Sequence, residues 1–212
     1  MPDLQHRPPT RWGILGTGGM ARVFTEDLLT LPGHQVAAVG SRSLATATAF
    51  ADRHHADRAH GSYEELADDD RIDVVYVATP QSHHLATAGL CLAAGRAVLV
   101  EKPFTMTAAE AEELVAVAAR SRVFAMEAMW MRFNPVITAA LRLVHDGAIG
   151  EVRQVSADFC IDVRAEPNHR LWRPELGGGA LLDLGVYPVT RSAPLRASGP
   201  MSSIWSSTAG EP

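Results

Sequence analysis

The chain has 212 residues, 47% hydrophobic and 20% charged, with 19 Lys and Arg against 24 Asp and Glu for a formal net charge of −5. That composition suits one large or two small globular domains with a real core, and the lack of a basic block argues against a nucleic-acid partner. No apolar run approaches the roughly 18 residues of a membrane span, and two cysteines, Cys91 and Cys160, point to a reducing, cytoplasmic setting.

Residues 1–12 are polar, carry no apolar stretch of the secretory kind and read as a short disordered leader. The first half then alternates β-rich runs with helical stretches, as βαβ units on a parallel sheet require. Arg11–Gly16 is a strand ending in glycine, and Met20–Leu31 a helix stopped by Pro32-Gly33. Gln35–Gly40 is the second strand, Leu44–Arg53 an Ala-rich helix with His54–His55 at its solvated end, and Arg58–His60 a short strand. Ser62 with Glu65, and Thr107 with Glu110, are capping-box patterns that open two further helices. Asp73–Ala78 and Ala97–Val100 are apolar enough to be buried on both faces, His83–Ala94 is helical, and Val123–Met126 continues the sheet.

Beyond this point the pattern changes. Asn134-Pro135 caps a helix to about His145, and Glu151–Phe159 alternates as a half-buried strand would. Gly177-Gly178-Gly179 opens an apolar stretch through Val189, after which residues 190–212 hold no recognisable element. The expected fold class is α/β, a doubly wound parallel sheet over 11–128 after a leader at 1–10. An incomplete α+β second domain over 129–189 and an irregular tail at 190–212 follow.

Gly16-Thr17-Gly18-Gly19-Met20-Ala21 is a G-x-G-x-x-A sequence between the first strand and the first helix. Gly16 permits the tight turn, Gly18 lets backbone approach a pyrophosphate, and the small Ala21 lets helix and strand pack closely. The helix N-terminus offers its unpaired amides to the anion. A dinucleotide is the expected ligand. After the second strand stand Ser41-Arg42-Ser43, with no carboxylate to repel a 2′-phosphate, so NADP is preferred and NAD is the alternative. The competing reading of Arg42 is a solvated loop charge.

Lys102, in Val100-Glu101-Lys102-Pro103, sits where ligands bind in open α/β sheets and can exchange a proton with an oxygen at the carbon that gains or loses hydride. The competing reading is a surface lysine paired with Glu101. The nine histidines include adjacent pairs but no zinc spacing, so no metal site is expected.

These motifs, with Val77–His84 and Gly177–Pro188, stand in the order found in the Gfo/Idh/MocA oxidoreductases, and the chain resembles that family over nearly all of residues 11–189. The resemblance implies a catalytic Lys102 with Pro103 as a cis-proline. It implies a loop along the cofactor containing Thr79, Pro80 and His84, with Gln81 where Asn is more usual. Asp183-x-Gly185-x-Tyr187 matches the branch that carries Tyr rather than His, that of the dihydrodiol and NADP-linked xylose dehydrogenases. In that reading Glu101 is a cofactor residue, Asp183 holds a substrate hydroxyl or tunes Lys102, and Tyr187 donates to or relays from the substrate oxygen. Trp130, Arg132, Phe133 and Trp172 are candidates for the substrate pocket, and core or surface packing is the competing reading for each.

The implied function is NADP-dependent hydride transfer to or from a hydroxyl or carbonyl carbon of a sugar, polyol or cyclic diol. The family's second domain rests on a large sheet that commonly forms a homodimer face. Only its first strand is expected here, so the chain reads as truncated or out of frame after about Val189. The alternative is a dinucleotide-binding remnant or redox sensor without catalysis.

Overall fold

The computed structural model describes residues 8–162 and 169–192. Most of the expected leader and the stretch 193–212 lie outside the described residues. The strands are β1 (Thr10–Leu15), β2 (His34–Gly40), β3 (Arg58–His60), β4 (Val74–Val77), β5 (Ala97–Val100) and β6 (Ala125–Glu127). They form one parallel sheet in the order β3-β2-β1-β4-β5-β6. That is the doubly wound order, and it reverses between β1 and β4, where such sheets open a crevice. The leader ends earlier than expected, because the amide of Thr10 already bonds to Gly33 and opens the β1–β2 ladder.

The helices are α1 (Gly19–Leu28), α2 (Leu44–His54), α3 (Tyr63–Ala67), α4 (His84–Ala93), α5 (Ala108–Ser121), α6 (Pro135–His145) and α7 (Val186–Ser192). By packing, the chain divides into two compact units, Met1–Met129 with Ala165–Asp183, and Trp130–Arg164 with Leu184–Pro212. Residues 169–183, read from sequence as part of the second domain, thus pack with the first unit.

In the first unit successive strand residues feed opposite layers. Ile14, Val39 and Tyr76 meet Ala21 and Leu28 of α1 and Ala47 and Phe50 of α2. On the other face Leu15, Val75, Val77, Val98 and Val100 meet Leu66, Leu92 and Leu114. Both capping boxes form, with Ser62 Oγ accepting from the Glu65 amide at 3.1 Å and Thr107 Oγ1 from Glu110 at 3.2 Å. The two glutamates reach back to Gly61 and Met106, one residue before the cap.

One feature departs from the sequence reading here. His54 is buried, not solvated, because residues 47, 50, 51 and 54 share the core face of α2, and its ring lies 4.4 Å from that of Phe50. His55 takes the left-handed turn that ends the helix. Asp69 gathers Arg58 at 2.6 Å, His60 at 3.0 Å and the Arg71 amide at 3.1 Å. Although burial pushes its carboxyl up, those donors hold it well below the usual carboxylate range and tie β3 to the turn before β4.

In the second unit Asn134 Oδ1 accepts from the amides of Val136 and Ile137 at 3.0 and 3.2 Å, the expected cap for α6. The expected strand at Glu151–Phe159 does not form. Its alternation is real, but none of the described residues offers it a ladder, and an extended segment without a partner satisfies no inter-strand bonds.

Candidate active site

The carboxyl ends of β1, β2, β4 and β5 surround a cavity of about 570 Å³ in the first unit, within the size range of ligand pockets. Gly16, Thr17, Gly18, Gly19 and Met20 form one wall. Gly16 has φ +100°, and a Cβ there would lie 2.7 Å from the Ala78 carbonyl oxygen, so glycine is required twice over. Gly18 is the N-cap of α1 and supplies no side-chain cap, while nothing stands within 4 Å of a Cβ built at Gly18 or Gly19. The first turn of α1 thus meets the cavity with no side chain capping its amides. Ala21 is fully buried beneath the turn and serves helix packing.

Ser41 and Arg42 line the cavity beside Tyr63, to which the sequence reading gave no role. Ser43 does not line it. Its hydroxyl accepts from the Thr46 amide at 3.5 Å as the N-cap of α2, so the β2–α2 turn uses it structurally.

Thr79, Pro80, Gln81 and His84, after β4, also line the cavity. The His84 ring is buried between two carbonyl oxygens, with Nδ1 2.9 Å from Pro103 and Nε2 3.0 Å from Thr79. It ties the loop after β4 to the loop after β5. Burial holds its pKa below the ordinary 6.5 although both carbonyls favour the charged ring, and a neutral ring donates to only one of them.

The Lys102-Pro103 peptide is cis. Lys102 does not turn its ammonium to Glu101, as the competing reading required. Nζ donates to the Asp183 carbonyl at 2.7 Å and to Asp183 Oδ1 at 3.3 Å, with both side chains largely buried. Arg170 shares the same carboxylate, Nη2 to Oδ1, at 3.4 Å. One carboxylate thus stands between two cations at the edge of the cavity.

The glycine run explains how Arg170 arrives there. A Cβ at Gly178 would collide with the Arg170 carbonyl oxygen, and one at Gly177 would strike the side chains of Gln81 and Met106. Gln81 Nε2 donates to the Gly177 carbonyl. The chain is therefore pressed against the loop after β4, and His169 and Arg170 line the cavity. No sequence signal marked these two residues.

Glu101 keeps its carboxylate inside. Tyr76 donates its hydroxyl to Oε1, and Oε2 accepts from the Lys102 amide at 3.0 Å. Burial pushes the Glu101 carboxyl up, while Tyr76 and Lys102 draw it back.

Tyr187 belongs to the second unit. There it lines a smaller cavity of about 150 Å³ with Trp130, Phe159 and Asp158. The Phe159 ring stands edge-on at 5.0 Å and that of Trp130 is tilted at 6.2 Å, an arrangement suited to a flat or partly apolar ligand. The turn Trp130–Phe133 directs Met131 inward and leaves Arg132 and Phe133 exposed, so they line neither cavity. Trp172 is likewise 56% exposed.

Comparison with known proteins adds what geometry alone does not. The family model described as "Oxidoreductase family, NAD-binding Rossmann fold" matches residues 10–129, and the Gfo/Idh/MocA C-terminal domain matches 137–195. The chain is 48% identical to trans-1,2-dihydrobenzene-1,2-diol dehydrogenase of Danio rerio over 179 residues, covering 84% of this chain and 53% of that protein. It is 42% identical to D-xylose 1-dehydrogenase (NADP(+)) of Hypocrea jecorina, covering 85% and 51%. The 3-ketoreductase KijD10 of Actinomadura kijaniata, solved with NADP and TDP-benzene, superposes with a TM-score of 0.80 at 34% identity, covering 87% and 56%. The chain spans about half the length of the curated relatives it matches. From the glycine turn at β1 through the Asp183 segment, it belongs to the Gfo/Idh/MocA oxidoreductase family with the NAD-binding Rossmann fold.

Proposed function

We propose that this chain is the coenzyme-binding and proton-handling part of an NADP-dependent dehydrogenase acting on a sugar, polyol or cyclic diol. The observation that carries the reading is the placement of the Lys102 ammonium, held by Asp183, on the same cavity as the glycine turn. The start of α1 at Gly19 and Met20, which lines the cavity, suits a pyrophosphate. Arg42, with Ser41, suits a 2′-phosphate through a charge-assisted hydrogen bond. The bound coenzyme supplies or accepts the hydride.

The chain's own groups do the rest. Lys102 Nζ holds a proton beside the oxygen of the reacting carbon, and Asp183 fixes the direction of that ammonium. Tyr187 is the second residue of the chain assigned to proton handling in this reading, and Trp130 and Phe159 stand beside its ring in the second unit. The relatives named for diol and xylose oxidation and the NADP-bound ketoreductase support both the coenzyme and the substrate class. A homodimer and a cytoplasmic location belong to the same proposal.

A second reading has its own support. Glu151–Phe159 lacks a sheet partner among the described residues. On that reading the chain binds NADP(H) and turns nothing over.

One experiment separates the two. The protein and its Lys102→Met variant are titrated with NADPH and assayed with a panel of pentoses and cyclic diols. The enzyme reading expects turnover to fall by about a thousandfold in the variant, with coenzyme affinity changed no more than about threefold (under 1 kcal/mol). Coenzyme binding with no turnover of any substrate supports the second reading. Equal loss of binding and turnover in the variant means that Lys102 is structural.

A further inference from the structure

Tyr76 has no place in the chemistry described so far, yet it is nearly fully buried and touches the site directly. It stands in β4, and the parallel register pairs the next residue, Val77, with Val100, which precedes Glu101. The two strand ends therefore bring residues 25 apart into contact, and the phenol donates to Glu101 Oε1. The other carboxylate oxygen takes the Lys102 amide at 3.0 Å. Phe24 of α1 stacks on the Tyr76 ring at 3.8 Å with 16° between the planes, and Trp12 closes edge-on over Phe24 at 5.3 Å. The ring is thus fixed by the helix whose N-terminus borders the cavity.

We infer that Tyr76 is a positioning residue: its phenol aims the Glu101 carboxylate, which braces the backbone of Lys102 and presents an acceptor to a hydroxyl of the ligand in the cavity. A buried carboxylate between two fixed donors has one orientation, and a carboxylate that loses one of them turns or takes up a proton. The titratable and charged groups that act on Glu101 are Tyr76 from β4 and Lys102 after β5. Burial and the neighbouring carboxylate push the Tyr76 phenol far up, so it stays a donor across the working range. Burial pushes Glu101 up in turn, and the phenol and Lys102 draw it back. Deleting the hydroxyl leaves the desolvation in place and removes one of the opposing donors.

The test uses Tyr76→Phe, which keeps the stacked ring, and Glu101→Gln, which removes the titration. The first arm follows the carboxyl signals of ¹³C-glutamate in the ligand-free protein by NMR, with Glu101→Gln assigning the resonance. A hydrogen bond to a charged group corresponds to an upward shift of roughly one pH unit for Glu101 in Tyr76→Phe. The second arm, which rests on the proposed coenzyme reading, measures NADPH affinity between pH 5 and 9. The acid limb should move up in Tyr76→Phe and vanish in Glu101→Gln, which also reports what the coenzyme phosphates contribute. An unmoved Glu101 signal in a folded Tyr76→Phe protein overturns the inference whatever the coenzyme does. A uniform loss of affinity at every pH, with the signal unmoved, assigns Tyr76 to packing alone. A shifted signal without NADPH binding supports the inference about Glu101 and contradicts the coenzyme reading.

Discussion

Between β1 and β6 every strand has a neighbour, both faces are covered by helices, and the core residues are buried to between 0 and 9% exposure. Between Trp130 and Asp162 an equally clear pattern produces far less. The Asn134 cap forms and α6 forms, but no residue of that helix is buried. Glu151–Phe159, which alternates as regularly as many true strands, pairs with nothing described. Local signals such as helix caps succeed in both regions, because their partners lie within four residues. Periodicity succeeds only where a second element supplies the other half of each contact.

That contrast can be broken at several points, beginning with the most local and most costly. Gly16→Val places a β-branched side chain at a positive φ and against the Ala78 carbonyl oxygen. A loss of roughly 3 kcal/mol or more in urea unfolding is expected, together with loss of NADPH binding. Wild-type stability in this variant would mean that the turn after β1 is not as tight as its φ of +100° implies.

A smaller effect follows from the buried imidazoles. Burial holds His84 and His54 below their ordinary 6.5. As pH falls, the unfolded chain takes up these protons first, so their contribution is complete above about 6.5 and is lost toward the lowered folded values. Melting temperature should drop by a few degrees between pH 7.5 and 5.5, about what 1 kcal/mol produces in a protein of this size. Glu101 works in the opposite sense between its ordinary 4.5 and its raised folded value, so the drop should steepen in Glu101→Gln. A flat profile in both proteins would show that neither histidine is kept neutral.

The smallest expected change is at the helix caps. Ser62→Ala and Thr107→Ala each lose one side-chain acceptor for a helix amide and should cost about 1 kcal/mol in denaturant unfolding. Changes near zero at both would argue that the Glu65 and Glu110 carboxylates carry the helix starts alone.

The succession of strands and helices, the glycine turn and the Lys102 motif were legible because each is written in a short run of sequence. The Tyr76–Glu101 contact was not, since it depends on the register of two parallel strands, which no single segment specifies. Arg170 was hidden for a related reason. Only the close approach of Gly177 and Gly178 to Gln81 and to the chain's own turn carries it to Asp183. His54 was misjudged because the core stripe of α2 runs past its alanines, and Ser43 caps the same helix.

The most direct measurement is calorimetric titration of the folded protein with NADPH and NADH. The account expects one saturable site on the glycine turn, tighter for NADPH by the contribution of Arg42 to a 2′-phosphate, and lost in Gly16→Val. No heat with either coenzyme on folded protein would contradict it.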